Sequence, residues 1–209
     1  QFDWTARYAG ADNVLGAANV RFIGGLNSVG VISESAYAKQ VADLDVNIEK
    51  AKVKIAAELN ATKRLKGEER LAKMEALKKT FTAVINQTAP DRLIAAEDDV
   101  VVKELHLPVN KTVHLKFRSQ DIIHSAYLPH FRVQMNCVPG MNTDFVFKPT
   151  ITTEEMRIET GNEEFEYILL CNKICGAAHY NMQLKVIVES EEDYNKWIAE
   201  QTTFAASNN

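Results

Sequence analysis

Residues 165–189 read FEYILLCNKICGAAHYNMQLKVIVE and place a loop of metal-binding residue types between two strand patterns. FEYILLC and QLKVIVE are rich in Ile, Leu, Val and Phe, as β-strands are. Between them, Cys171, Cys175, His179 and Met182 follow one another at spacings of four, four and three. A helix would place these residues on one face, but the preceding strand and Gly176 favour an irregular loop. The segment therefore predicts a ligand-binding loop at the rim of a β-sheet.

Further short β-rich runs surround this segment after Pro90. They are VVVKELHLP, KTVHLKFRS and FVFKPT, and turn residues such as 108–110 and 161–162 separate them. In KTVHLKFRS, apolar and polar residues alternate, which is typical of a half-buried strand. The opening QFDWTARY also alternates and predicts a strand followed by turns. The pattern predicts a mainly β, antiparallel sandwich or barrel, and SEEDYNKWIAEQ adds a C-terminal helix capped by Ser190.

Residues 34–87 have a different composition, rich in Ala, Lys, Glu and Leu, with no Pro and a single Gly, Gly67. Apolar residues recur there at helical spacing, so we expect two antiparallel helices, with Ser33 or Ser35 as the first cap. NATKRLKG, residues 60–67, is the expected turn. A solvated structural insertion is the favoured interpretation, and a docking surface for a partner protein is the alternative.

Composition excludes several classes of protein. The chain has 209 residues, of which 46% are hydrophobic and 25% charged, the balance of a globular domain and not of a disordered chain. A net charge of −4 argues against a general nucleic-acid binder. No apolar run reaches about 18 residues, so we expect no transmembrane helix in this sequence. Because it begins at Gln1, we expect a fragment or processed product whose anchor or targeting segment has been removed.

The residue types in the loop favour copper. Two thiolates, an imidazole and a thioether are soft ligands, and a thioether suits copper better than zinc. Paired Cys-x2-Cys repeats, which are typical of zinc sites, are absent from the sequence. A mononuclear blue-copper site needs one Cys and two His, so the second Cys suggests two metal ions bridged by two thiolates. A second imidazole must come from elsewhere: the candidates are His106, His114, His124 and His130. His124 is slightly preferred, since it follows a strand pattern and precedes a proline-containing turn.

Two segments together resemble subunit II of haem–copper cytochrome c oxidase, in its CuA-bearing domain outside the membrane. They are SQDIIHSAYLPHFRVQMNCVPGM at 119–141 and CNKICGAAHYNM at 171–182. The resemblance covers roughly 1–33 and 88–200, and NKICGAAHYNMQ is most similar to oxidases of the Bacteroidetes type. It implies a cupredoxin-like Greek-key barrel or sandwich formed by 1–33 and 88–209, with 34–87 as an inserted helical hairpin.

The resemblance also implies a cofactor, a binuclear, mixed-valence copper centre. In the family's pattern, the two cysteines bridge both coppers and each histidine binds one of them. The thioether and one backbone carbonyl are weak ligands. The residues that match these positions are Cys171, Cys175, His124, His179, Met182 and Lys173, the last through its carbonyl.

Three positions depart from the family's pattern. Lys173 stands where the family often has Glu, so the carboxylate that helps to bind Mg²⁺ beside subunit I is missing. Phe2 stands where the family usually has the Trp at which electrons are thought to enter, and Trp4 lies two residues on. Asn136 and Cys137 replace a common Asp-Ala pair, which removes one acidic group from a cytochrome docking surface.

The function that these features imply is electron transfer in the respiratory chain. The domain would accept electrons from a cytochrome c-like donor, free, fused or associated, and pass them to haem in subunit I. Oxygen reduction and proton pumping would belong to the complex, held at the periplasmic face of the inner membrane by segments absent here. The alternatives are a copper domain of another reductase, such as nitrous oxide reductase, or a stand-alone copper carrier. A copper chaperone is disfavoured because the loop lies between strands. Structural thiols or a disulfide without metal are the remaining alternative.

Overall fold

The computed structural model describes residues 3–24 and 27–208, and the chain forms two compact units. One contains the chain up to Arg7 together with Val101–Gln201, and the other contains Tyr8–Val100 and Thr202–Asn209. The domains expected from the sequence, 1–33 with 88–209 and 34–87 alone, have different bounds. The segments that flank the helical hairpin fall in the same unit as the hairpin, because they share a core with it.

Nine strands are present in the described residues. They are β1 Ala6–Tyr8, β2 Val100–Val102, β3 Leu105–Pro108, β4 Val113–Phe117, β5 His124–Leu128, β6 Val133–Cys137, β7 Thr143–Phe147, β8 Tyr167–Cys171 and β9 Gln183–Glu189. Five of them form one sheet in the order β3-β9-β8-β5-β6, while β4 pairs with β7 and β1 with β2. The site-bearing unit is mainly β and cupredoxin-like, as predicted.

The five-stranded sheet buries one face through strict alternation. Leu184, Val186 and Val188 of β9 are buried, and the residues between them are not. Tyr167 and Leu169 of β8 lie opposite Val186 and Leu184, so the buried faces of the two strands coincide. Cys171 continues this face at the end of β8 and is 7% exposed. The pleat thus carries the first loop cysteine inward at the point where the strand ends.

Three features of this unit differ from the sequence-based expectation. The sheet is not wholly antiparallel, because β3 runs parallel to β9; the long intervening segment supplies the crossover that a parallel pair needs. His124 does not follow a strand but begins one, β5, which pairs with β6. The helix at Thr153–Thr160 was not predicted, although Thr152 and Glu155 form a capping box there.

Six α-helices are present in the described residues. They are α1 Glu34–Ala57, α2 Ala61–Gln87, α3 Pro90–Ile94, α4 Thr153–Thr160, α5 Glu191–Glu200 and α6 Phe204–Asn208. Ser33 caps α1 and Ser190 caps α5, each accepting a hydrogen bond from a backbone N–H three residues later. No helix among the described residues is both long and apolar enough to cross a membrane.

The predicted helical hairpin is confirmed, but its turn is shorter than expected. The turn occupies 58–60, and the expected turn at 60–67 is wrong because α2 begins at Ala61. Asn60 caps α2 by accepting from the N–H of Lys63, 3.1 Å away. Gly67 lies inside α2, where an added Cβ would lie 2.8 Å from Cγ1 of Ile55. The glycine therefore permits close helix packing and does not mark a break.

The base of the hairpin belongs to a shared apolar core. Phe81 of α2 packs with Phe22, Ile32 and Leu93, all buried. The rings of Phe22 and Phe81 have centroids 4.4 Å apart. Because these residues come from both sides of the hairpin in sequence, the base of the hairpin and its flanks stabilise one another.

Candidate metal centre

Backbone hydrogen bonds fix both ends of the loop between β8 and β9. The Cys171 N–H donates to the Met182 carbonyl at 3.0 Å, which closes the loop. The Asn172 N–H donates to the carbonyl of Ser125 in β5 at 3.3 Å. The loop therefore stands at the end of the sheet, beside the strand that begins with His124.

The interior of the loop turns back over Cys171. Gly176 has a φ of 141°, a conformation that side chains with a Cβ disfavour. The His179 N–H then donates to the Gly176 carbonyl at 3.1 Å, and a 3₁₀ turn at His179–Asn181 follows. This path returns His179 and Met182 to the side of the two cysteines, as the sequence predicted for a loop between strands.

Two thiols, each beside an imidazole, form the centre of the site. The Sγ atoms of Cys171 and Cys175 are 3.8 Å apart, and both cysteines are free. Nδ1 of His124 lies 3.8 Å from Cys171 Sγ, and Nδ1 of His179 lies 3.5 Å from Cys175 Sγ. The donor atoms of His124, Cys171 and Cys175 all lie within 4.8 Å of one another, as in a metal site.

Two weaker donors complete the cluster. The Lys173 carbonyl oxygen lies 3.2 Å from Cys171 Sγ, and Met182 Sδ lies 3.8 Å from Cys175 Sγ. Met182 is 4% exposed, whereas the Lys173 side chain is exposed to solvent. The structure thus brings together all six groups expected from the sequence.

A carboxylate that sequence reasoning missed orients the first imidazole. Nε2 of His124 lies 2.8 Å from Oδ1 of Asp121, and the His124 side chain is only 4% exposed. A carboxylate accepts a hydrogen bond from Nε2–H, so Nδ1 keeps its lone pair and faces the thiols. The Asp-x-x-His spacing at 121–124 was the available signal, since a turn before a strand brings such a pair together.

Trp4 lies against the same cluster. Its indole Nε1–H donates to the Met182 carbonyl at 3.3 Å, and its ring lies edge-on to His124 with centroids 6.5 Å apart. Phe2, the other residue considered for the point where electrons enter, lies outside the described residues. The role of Trp4 stays a prediction, but its position is beside the ligand groups.

Two thiols of this unit, those of Cys175 and Cys137, have a raised pKa and so favour their protonated form. Burial raises the pKa of Cys175, and the adjacent Cys171 thiol raises it further. Burial likewise raises the pKa of Cys137, to about 11. Cys137 lies opposite His124 in the β5–β6 ladder and is 0% exposed, whereas Asn136 beside it is exposed. A metal that binds Cys175 as thiolate must therefore displace its proton.

The other three histidines lie elsewhere. His106 lies between Glu189 and Glu104, at 2.7 and 3.2 Å, and stacks on Trp197 with centroids 3.7 Å apart. His130 packs edge-on against two aromatic rings, and His114 is exposed on β4. Each therefore has a structural or surface environment, whereas His124 lies beside the Cys171 thiol.

Fold and site together define a class of protein, a β-sheet domain with side chains of metal-ligating types gathered at the loop between two strands. Residues 82–190 match the family described as "Cytochrome C oxidase subunit II, periplasmic domain". The chain belongs to this family.

The relatives carry the same description. The alternative cytochrome c oxidase subunit 2 of Bradyrhizobium diazoefficiens is 46% identical over 111 residues, which are 52% of this chain and 36% of the relative. Cytochrome c oxidase subunit 2 of Thermostichus vulcanus is 31% identical over 111 residues, 53% of this chain and 30% of the relative. The chain thus spans about a third of the length of these relatives. Among solved structures, the periplasmic domain of subunit II from Bradyrhizobium japonicum has 25% identity and a TM-score of 0.40, covering 48% of this chain and 64% of that one.

Proposed function

We propose that this chain is the electron-transfer domain of a cytochrome c oxidase subunit II and that its loop holds a binuclear copper centre. The bridging ligands are Cys171 and Cys175, and the terminal imidazoles are those of His124 and His179. Met182 and the Lys173 carbonyl are weak ligands. Family membership supports the oxidase over the other reductases and the free carriers considered above.

One observation carries the proposal: two free thiols lie 3.8 Å apart, and each has its own imidazole within 3.8 Å. A single tetrahedral zinc ion would leave part of this six-group set unused, and a blue-copper site needs only one thiolate. Sulfur and imidazole ligands with a thioether fit copper. The donor set therefore fits a pair of copper ions that share both sulfurs.

When bound, such a copper pair supplies a centre that gains and loses one electron at a time. The protein's part is to keep the ligands in one arrangement. Cys171 and Met182 are buried and joined by a backbone hydrogen bond, and Asp121 holds His124. These ligands lie at the end of a strand and on a loop closed by hydrogen bonds. They therefore move little when the metal centre gains or loses an electron, which favours electron transfer.

The partners follow from the same assignment. We propose that the domain works at the periplasmic face of the inner membrane. Its partners there are subunit I, a cytochrome c-like donor and a membrane anchor in the rest of the protein. Ile174 and Tyr180, 88% and 87% exposed, flank the ligands and offer apolar contact to a donor.

Because the Lys173 side chain has no carboxylate, it supplies no Mg²⁺ ligand. We also propose that 34–87 is an insertion in the family's β domain.

Copper analysis of the purified chain tests the proposal. We expect about two copper ions per chain after reconstitution, and loss of the visible sulfur-to-copper absorption in both Cys171→Ser and Cys175→Ser. Cys137→Ser is the matched control, since the buried Cys137 thiol donates to the Met135 carbonyl and not to an expected ligand, and we expect the copper content to be unchanged. A full complement of two coppers in Cys175→Ser would contradict the bridging role.

A further inference from the structure

The hairpin formed by α1 and α2 has a cationic groove on one side. This groove, of about 690 Å³, has a half-buried apolar floor of Ala51, Ile55 and Met74. Five exposed cations line it, two from α1 and three from α2. They are Lys50, Lys54, Lys63, Lys66 and Arg70.

These five cations have no ion-pair partner within the part of the chain that the structure describes. Glu58 is the single carboxylate in the lining, and its Oε1 accepts from the Asn60 N–H at the turn. The groove therefore carries an excess of positive charge, although the whole chain has a net charge of −4.

The opposite side of the hairpin shows that this excess is not a general property of a solvated helix surface. A second groove, of about 760 Å³, contains three carboxylates and three lysines. Two of these lysines are paired there, Lys52 with Glu49 at 2.8 Å and Lys78 with Asp45. The second groove thus contains equal numbers of carboxylates and lysines, whereas the cationic groove has five cations and one carboxylate.

The shape of the cationic groove indicates an elongated occupant. Its lining runs from Asn47 on α1 to Glu58 at the start of the turn, and from Lys63 to Met74 on α2. Each side covers three helical turns, about 17 Å at 1.5 Å per residue. Lys50 and Lys54 are four residues apart, as are Lys66 and Arg70, so a row of cations follows each rim.

We propose that this groove binds an acidic amphipathic helix of a partner protein. A helix laid between α1 and α2 would place its apolar face on Ala51, Ile55 and Met74, and its Asp and Glu side chains against both cationic rows. A flat anionic membrane would instead meet the end of the hairpin, where Leu59 is fully exposed. It would leave the cations farthest from the turn, Lys50 and Arg70, without contact. Charge complementarity along the groove therefore favours a helix.

The proposal is independent of copper, and photo-crosslinking in the intact system tests it. Asn47→p-benzoylphenylalanine places a probe at the groove in the full-length subunit in its native membrane. We expect an adduct, identified by mass spectrometry, on an acidic segment of another protein with apolar residues at helical spacing. Lys54→Glu combined with Lys66→Glu should lower its yield about tenfold, because two rim attractions become repulsions.

The matched control is Lys52→Glu combined with Lys79→Glu in the second groove, which makes the same charge change on the same helices and should leave the yield unchanged. Adducts only with lipid, adducts only with a second copy of this chain, the absence of any adduct, or equal losses in both double variants would each overturn the proposal. The copper absorption of the same preparations separates this outcome from any failure of the metal site.

Discussion

Replacing Asp121 with Ala should weaken copper binding about 10- to 100-fold, the usual effect of losing a carboxylate that holds a metal-binding histidine. The structure supports this size. Nε2 of His124 lies 2.8 Å from Asp121 Oδ1, and the imidazole is almost fully buried. A charge-assisted hydrogen bond contributes about 1.5–3 kcal/mol, which corresponds to about 10- to 150-fold in affinity. Without it, the ring is free to place its proton on Nδ1, the atom that faces Cys171.

Asp121→Asn separates charge from hydrogen bonding. The amide oxygen can still accept from Nε2–H, so we expect a smaller loss, about fivefold, because a neutral hydrogen bond is about half as strong. Competition with a chelator of known copper affinity, followed by the visible absorption band, measures both variants. Glu104→Ala is the matched control, since it removes a carboxylate from Nε2 of a different histidine, His106, outside the metal cluster. Copper affinity in Asp121→Ala within twofold of the unmodified chain would refute the orienting role.

Three further predictions concern the thiols, the thioether and the helical unit. In metal-free protein exposed to air, Cys171 and Cys175 should form a disulfide, because their Sγ atoms at 3.8 Å need to approach by less than about 2 Å. Thiol titration in denaturant should then find only Cys137, and three reactive thiols would contradict this. Met182→Leu should retain copper with a shifted reduction potential in voltammetry, since a weak axial thioether tunes the metal more than it holds it; loss of copper would be the opposing result. Phe81→Ala should lower the unfolding free energy of the helical unit by about 3–5 kcal/mol in urea titrations while the copper band is unchanged, and a cost below about 1 kcal/mol would show that the shared core is not required.

The ligand loop could be predicted from sequence because its determinants are local. Runs rich in Ile, Leu and Val indicate β8 and β9 on either side of the loop. The combination of Cys, His and Met between them is typical of a metal site. The features that sequence reasoning missed depend on distant or competing contacts. The parallel pairing of β3 with β9 is set by the whole segment between them. Gly67 resembled a turn residue, and only the neighbouring Ile55 shows why a helix needs it.

The role of Asp121 was missed for a similar reason. Its carboxylate matters only because β5 begins at His124 and turns Nδ1 toward a cysteine 47 residues later. A strand was not expected to begin there, so no contact between the aspartate and the histidine was predicted. The hairpin base is buried together with Phe22, Ile32 and Leu93, which lie far from it in sequence. This shared core explains why the bounds of the compact units differ from those of the expected domains.

Electron paramagnetic resonance of the copper-loaded, oxidised chain tests the central claim most directly. Two thiolates that bridge both metals let one unpaired electron spread equally over two copper nuclei, which gives a seven-line hyperfine pattern. We expect this pattern, together with about two copper ions per chain. A four-line spectrum from a single copper ion would contradict a binuclear centre at Cys171 and Cys175.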